Sequence, residues 1–178
     1  YTPFVFSGGV AFDFGKTQIA LLKGLIVSLE IQYEMWSRFR NSSAVEKLYA
    51  KLVADEGEEY TLPKFQDIIV PKIGFAYRTT NWLTLYAGYY YQPSFVPDDA
   101  AEGVFNYLDN DKHVGSFALT FHLPQFGFVK GMVEITLAFQ SQYLIEREVV
   151  KTNPTGYNPN YSYGGWNPAG MIEVSIRL

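Results

Sequence analysis

Apolar and polar residues alternate one for one along segment after segment of this chain. Between Val133 and Ile145, the residues Val133, Ile135, Leu137, Phe139, Tyr143 and Ile145 share one parity, with Ser141 the single polar interruption. Glu134, Thr136, Ala138, Gln140 and Gln142 share the other. Successive side chains of a strand point to opposite faces, so this segment has one apolar side and one polar side. The stripe outlasts the ~9–11 residues that a tilted transmembrane strand needs. It recurs from Phe4 to Phe14, Val27 to Met35, Ile69 to Tyr77, Leu83 to Tyr91, Phe117 to Phe121 and Ile172 to Leu178. The pattern predicts about seven strands. Small and charged residues fill the second face, the inverse of a soluble sandwich. The predicted fold class is all-β, a transmembrane antiparallel β-barrel with its polar face inward.

Composition supports that class. The 178 residues are 17% aromatic, yet mean hydropathy lies close to zero, as an alternating barrel averages out. The longest apolar run, Ile19 to Val27, is broken by Lys23 and Gly24 and falls short of the ~20 residues of a spanning helix. Net charge is −4 with no basic cluster, which argues against a nucleic-acid partner. No cysteine is present, which excludes disulfides and thiolate metal sites.

Connections alternate in length. Arg40 to Lys64, Pro93 to Asp111 and Glu148 to Gly164 are long, whereas Thr79 to Asn81 and Pro124 to Phe128 are short. Barrels of the bacterial outer membrane put short turns in the periplasm and long loops outside. Leu178 is thereby expected in the periplasm and Tyr1 outside the cell, an odd count that calls for further strands before Tyr1. An open sheet in hydrocarbon would leave a row of unpaired backbone groups on each edge. The missing strands are expected in cis, from another chain, or by self-assembly.

Several segments resemble the FadL family of long-chain fatty-acid transporters. Tyr33-Glu34-Met35-Trp36-Ser37-Arg38-Phe39 is similar to the end of a middle strand in that family, where a Trp-Ser pair is followed closely by Phe. Ile73 to Asp99 resembles its hairpin: a strand ending Tyr-Arg, a tight turn with Trp, Leu-Thr-Leu, an Ala-Gly-Tyr strand, then Gln-Pro-Ser and Val-Pro-Asp. Leu108 to Phe121 resembles its acidic Asp-x-Asp-Arg loop, with Lys112 in place of the Arg. Leu178 stands where outer-membrane strands more often end in an aromatic. The resemblance implies that residues 1–178 are the C-terminal part of a fourteen-stranded barrel, without its N-terminal hatch and first half.

Candidate functional groups follow from the faces. Glu30, Glu34, Lys72, Arg78, Glu134, Glu173 and Arg177 fall on the polar face. They form either a track for the head group of an amphipathic ligand or a charge ladder across neighbouring strands. Glu30 and Glu34 share a face, but no nucleophile or oxyanion element accompanies them, so no catalytic residue is expected. In the loop 40–64, Ser43 followed by Glu46 is a capping box, and Val45, Leu48, Tyr49 and Leu52 recur at helical spacing. That short helix offers either an external apolar ligand surface or a packing face over the barrel mouth. Lys151 to Pro168 reads as a loop rich in Tyr, Asn, Pro and Gly. His113 beside Asp109 and Asp111 reads as a turn, since it lacks the ligands that would specify a metal. Trp36, Trp82 and Trp166 are expected at membrane–water interfaces.

The expected function is passive, hatch-gated transport of hydrophobic molecules such as long-chain fatty acids across the bacterial outer membrane. No enzyme activity, cofactor or metal is expected. The partners are outer-membrane lipid, a hydrophobic small molecule and the missing barrel half. The alternative is a receptor, adhesin or assembly-partner barrel acting through its extracellular loops.

Overall fold

The alternating segments pair in sequence order. The computed structural model describes residues 3–19, 22–39, 64–97, 108–124, 131–151 and 159–177. Its strands are β1 (Phe4–Asp13), β2 (Leu25–Met35), β3 (Ile68–Arg78), β4 (Leu83–Gln92), β5 (Lys112–Leu123), β6 (Met132–Val149) and β7 (Tyr161–Arg177). They form one antiparallel sheet in the order β1-β2-β3-β4-β5-β6-β7. A 3₁₀ turn, Trp36–Arg38, follows β2. The fold is all-β, as the period-two stripe predicts.

Register decides what shares a face. Glu30 lies opposite Lys72, Lys72 opposite Tyr90, Tyr90 opposite Val114, Val114 opposite Gln142 and Gln142 opposite Asn167. Residues directly opposite in an antiparallel pair project to the same side. This row therefore belongs to one face, which carries every described polar-face candidate. The other face carries the apolar stripe, and it is open: Ile172 is 74%, Trp166 71% and Phe4 62% exposed.

Apart from Val133 near the start of β6, the buried apolar residues among those described lie at one end of the polar face. Phe65, Ile68, Val70, Val96, Val114 and Val149 are buried there. Trp36 stacks on Phe95 with ring centroids 3.9 Å apart, and Phe65 meets Phe95 edge-on. This cap sits at the end bearing the longer connections. At the opposite end the short segment Thr79–Trp82 joins β3 to β4, and Gly24, just before β2, adopts φ +85° and accepts a hydrogen bond from Arg78 N.

Two strands are longer than their stripes suggest. β5 begins at Lys112, and β7 takes in the C-terminal part of the segment that reads as a loop, with strand from Tyr161 onward. Its composition misleads because partner geometry overrides it. Ile145 N donates to Asp111 O, so odd residues of β6 bond to β5 and even residues to β7. Pro168 faces the odd residue Ser141, which turns its nitrogen toward the free side. A proline there costs no bond to β6. Gly165, at φ +129°, sits beside the register shift between Leu144 and Arg147. The helix expected around Val45, Leu48, Tyr49 and Leu52 lies outside the described residues.

Candidate functional site

Across the middle of the polar face runs a row of small side chains. Ala11, Ser28, Gly74, Gly88, Ser116, Gln140 and Ala169 stand opposite one another through all seven strands. A Cβ at Gly74 would lie 2.6 Å from Ser28 Oγ, and one at Gly88 2.7 Å from Ser116 Oγ. Glycine keeps this floor low, because a side chain at either position would drive a serine hydroxyl upward. The next row toward the tight turns is Ile26, Ala76, Tyr86, Ala118, Ala138 and Met171. Two cavities result, of about 440 and 510 Å³, both bounded by Ser28, Gly74 and Ser116. Both volumes fall within the usual range for small-molecule sites, ~300–1,000 Å³.

The two cavities differ in chemistry. The first is bordered by Glu30, Lys72 and Tyr90, the second by Ile26, Tyr86 and Met171. Lys72 Nζ lies 2.9 Å from Glu30 Oε1 and also donates to Gln32 Oε1. Gln32 Nε2 donates to Glu34 Oε1 at 2.8 Å, and Trp36 Nε1 donates to Glu34 Oε2 at 2.8 Å. This chain of contacts ties Glu30, Lys72 and Glu34 into one network. Its ion pair is partly exposed and worth at most ~1 kcal/mol. Stability is therefore a weak reason for these charges. An amphipathic trough is what they create.

A second polar cluster sits at the opposite end of the same face. His122 Nε2 lies 2.9 Å from Thr84 Oγ1, and His122 Nδ1 lies 3.1 Å from Glu134 Oε1. The order hydroxyl–imidazole–carboxylate matches a nucleophilic triad in outline. Thr84 is only 8% exposed, however, and it is paired with Thr120 in the ladder, where backbone N–H groups serve strand pairing rather than an oxyanion. The cluster does the work of a cross-strand ladder, continued by Thr120 and Thr136 with their hydroxyls 2.9 Å apart.

The remaining expected residues are dispersed. Arg78 is exposed at the rim and reaches Asn81 O at 3.4 Å. Glu173 is exposed opposite Thr136. Arg177 pairs through its backbone with Met132, and its side chain lies outside the described residues. His113 belongs to the apolar face, where its Nδ1 lies 2.6 Å from Tyr89 Oη. The carboxylates beside it in sequence are engaged elsewhere. Asp111 accepts from Tyr91 Oη and Ser94 N, and Asp109 accepts from Phe95 N and faces Lys112 at 3.7 Å. Among the described residues no group of three His, Cys, Asp or Glu could hold a metal ion.

Sequence reasoning missed Gln32, Thr84, His122 and Asn110. Their parity was visible, but their partners depend on register. Asn110 is 2% exposed and donates through Nδ2 to Ile145 O at 2.7 Å and Tyr163 O at 2.9 Å. Arg147 donates to Val96 O at 2.9 Å and Asp109 O at 3.0 Å. Together they fasten the bases of the longer connections. Outside the strands, the Tyr33 hydroxyl and the Ser37 N–H hold the Asp67 carboxyl below its usual pKa. Burial lowers that of Lys151, whose ammonium lies 5.4 Å from the Tyr161 ring centroid.

No protein-family model matches the sequence, and no curated protein does. Among solved structures, the fold is similar to the crystal structure of a Pseudomonas aeruginosa FadL homologue, with a TM-score of 0.60 at 15% sequence identity. The match covers 96% of this chain and 34% of that one, so the chain spans about a third of its neighbour's length. The seven-stranded sheet is thus built like part of the wall of a FadL-type barrel.

Proposed function

We propose that this chain is part of the wall of a bacterial outer-membrane barrel through which an apolar or amphipathic small molecule, such as a long-chain fatty acid, passes without chemical change. The observation that carries the reading is the pairing of an open apolar face with a trough graded from polar to apolar on its reverse. In water, so broad an apolar face would be covered; lipid covers it here. Its dimensions suit a bilayer. Tyr91, His113, Tyr143 and Trp166 stand in one row, and Trp82, stacked with Phe121, marks the other end of the stripe. The nine residue steps from Tyr91 to Trp82 span about 30 Å along a strand, or about 23 Å when tilted by ~40°, close to the ~25 Å apolar band of such barrels.

Within this reading the lumen side works by graded solvation. Lys72, Glu30 and Gln32 offer donors and acceptors to a polar head, and the row from Ile26 to Met171 accepts a chain. The outer edges of β1 and β7 require strands in cis or from another chain, since lipid offers no hydrogen bonds to a bare edge. Entry through external loops and gating by a hatch belong to segments beyond the trough.

Uptake of labelled fatty acid by cells with and without the full-length protein tests the proposal. Ala118→Trp, which fills the apolar end of the trough, is the matched variant. The indole obstructs the apolar end, and each ~1.4 kcal/mol it adds to the barrier to passage lowers the rate about tenfold, so uptake is expected to fall by about an order of magnitude if the trough is the path. Uptake that is unchanged by deletion of the protein would contradict transport and favour a receptor or assembly role for the loops.

A further inference from the structure

Two opposite charges border the polar cavity, and they are already joined to each other. Glu30 and Lys72 are its charged residues, and the rest of its described lining is uncharged. Lys72 Nζ is held from two points on β2, by Glu30 Oε1 at 2.9 Å and by Gln32 Oε1. An ammonium has three N–H groups, so one is uncommitted. Glu30 Oε2 likewise has no partner among the described residues. Both side chains stay within reach of a ligand, at 32% exposure for Lys72 and 44% for Glu30. Tyr90 stands directly opposite Lys72, and its hydroxyl adds a neutral polar group to the same wall.

The pair therefore offers a ligand one donor and one acceptor side by side, with no net charge. A charged head is opposed by one half of it. A carboxylate that reaches Lys72 must displace Glu30 or sit beside it, and an alkylammonium that reaches Glu30 meets Lys72. Like charges at contact distance repel even in a water-like dielectric. A displaced Glu30 cannot move far, because its backbone is paired with that of Lys72. A hydroxyl avoids both penalties, since it can donate to Glu30 Oε2 and accept from Lys72 Nζ. Below the pair, Ser28, Gly74 and Ser116 lead into the apolar cavity. Ile26, on its wall, lies four residues along β2 from Glu30, about 13 Å. An alkyl chain on such a head has a place to lie.

We propose that the polar cavity is the head-group site for a neutral amphiphile whose head both donates and accepts, a long-chain primary alcohol, and that the Glu30–Lys72 pair discriminates against carboxylates and alkylammonium ions. Each member of the pair screens the other's charge, which makes both of them specificity residues. The inference rests on the reading of the trough as a ligand site.

The test titrates decan-1-ol, decanoate and decylammonium calorimetrically into the full-length protein in phosphatidylcholine nanodiscs, with empty discs subtracted. Glu30→Gln, Lys72→Met and the two combined are compared with the unaltered protein. Glu30→Gln unmasks the ammonium and is expected to tighten decanoate by about tenfold, the order of one like-charge contact relieved. Lys72→Met unmasks the carboxylate and should tighten decylammonium by a similar factor. Decan-1-ol should bind the unaltered protein and weaken about three- to tenfold in Lys72→Met, the loss of one hydrogen bond. The double variant should show neither ionic gain. A gain of affinity cannot come from misfolding, so either single variant keeps the test decisive. Decanoate that weakens in Lys72→Met and is unchanged in Glu30→Gln would overturn the proposal, with Lys72 then a carboxylate receptor. Affinities for all three ligands that ignore every variant would overturn it as well. Transport is read separately: uptake unchanged by deletion of the protein, alongside intact ionic gains, removes transport and leaves this head-group site standing.

Discussion

Asn110 shows how one side chain can hold two elements together. Its amide caps carbonyls of β6 and β7 at the point where their register slips, and it is almost fully buried. Truncation removes two hydrogen bonds to part-buried carbonyls, each worth ~0.5–1.5 kcal/mol. Asn110→Ala is therefore expected to destabilise the protein by about 1–3 kcal/mol, read from denaturant unfolding in detergent. Asp67 yields a pH prediction. Its carboxyl titrates below the ordinary 3.8 because Tyr33 and Ser37 donate to the ionised form. Its contribution is therefore complete above that ordinary value and is lost as the pH falls through the lower folded value. A 13C titration of the Asp67 carboxyl should give a midpoint below 3.8, and Tyr33→Phe should raise it. Little of this was legible beforehand. Asp109-Asn110-Asp111-Lys112 stood out as an acidic loop, but its role depends on Tyr163 and Ile145, which only the register of β5, β6 and β7 brings to it.

Elements were more legible than residues, because strand parity survives any error in strand ends. β2, β3, β4 and β6 lie where alternation places them. The second half of β7 was marked by the stripe from Ile172 to Leu178, but its first half was hidden, since Tyr, Gly, Asn and Pro up to Pro168 read as turn chemistry. Their true setting is an edge with a proline turned outward, and nothing local encodes that. Gly24 marks the other extreme, a single residue with a left-handed backbone just before β2. Its φ of +85° and the 2.9 Å separation between a built Cβ and Arg78 O both oppose a side chain. Gly24→Ala is expected to cost roughly 1–2 kcal/mol from the left-handed backbone alone, measured as a lowered unfolding midpoint. The trough was legible only in part. The charges of Glu30 and Lys72 were marked as lumen-facing, but its floor needs Gly74 and Gly88 in register with Ser28 and Ser116.

For the whole molecule, the claim is that polarity is inverted: lipid lies against the larger, apolar side chains and water against the smaller, polar ones. Exposure of Phe139 at 54% and Ile172 at 74% on one face, with Ala138 and Gln140 on the other, is the physical basis. These 178 residues contain no cysteine, so a single cysteine introduced among them can carry a spin label once any cysteine elsewhere in the full-length protein is replaced. The measurement is a scan along β6 from Val133 to Gln142 in the full-length, lipid-reconstituted protein, comparing collisions with oxygen and with a water-soluble nickel complex. Odd positions should be oxygen-accessible and even positions nickel-accessible, alternating at every residue. An inverted phase, with even positions in the lipid, or uniform access to the nickel complex along the strand, would contradict the account.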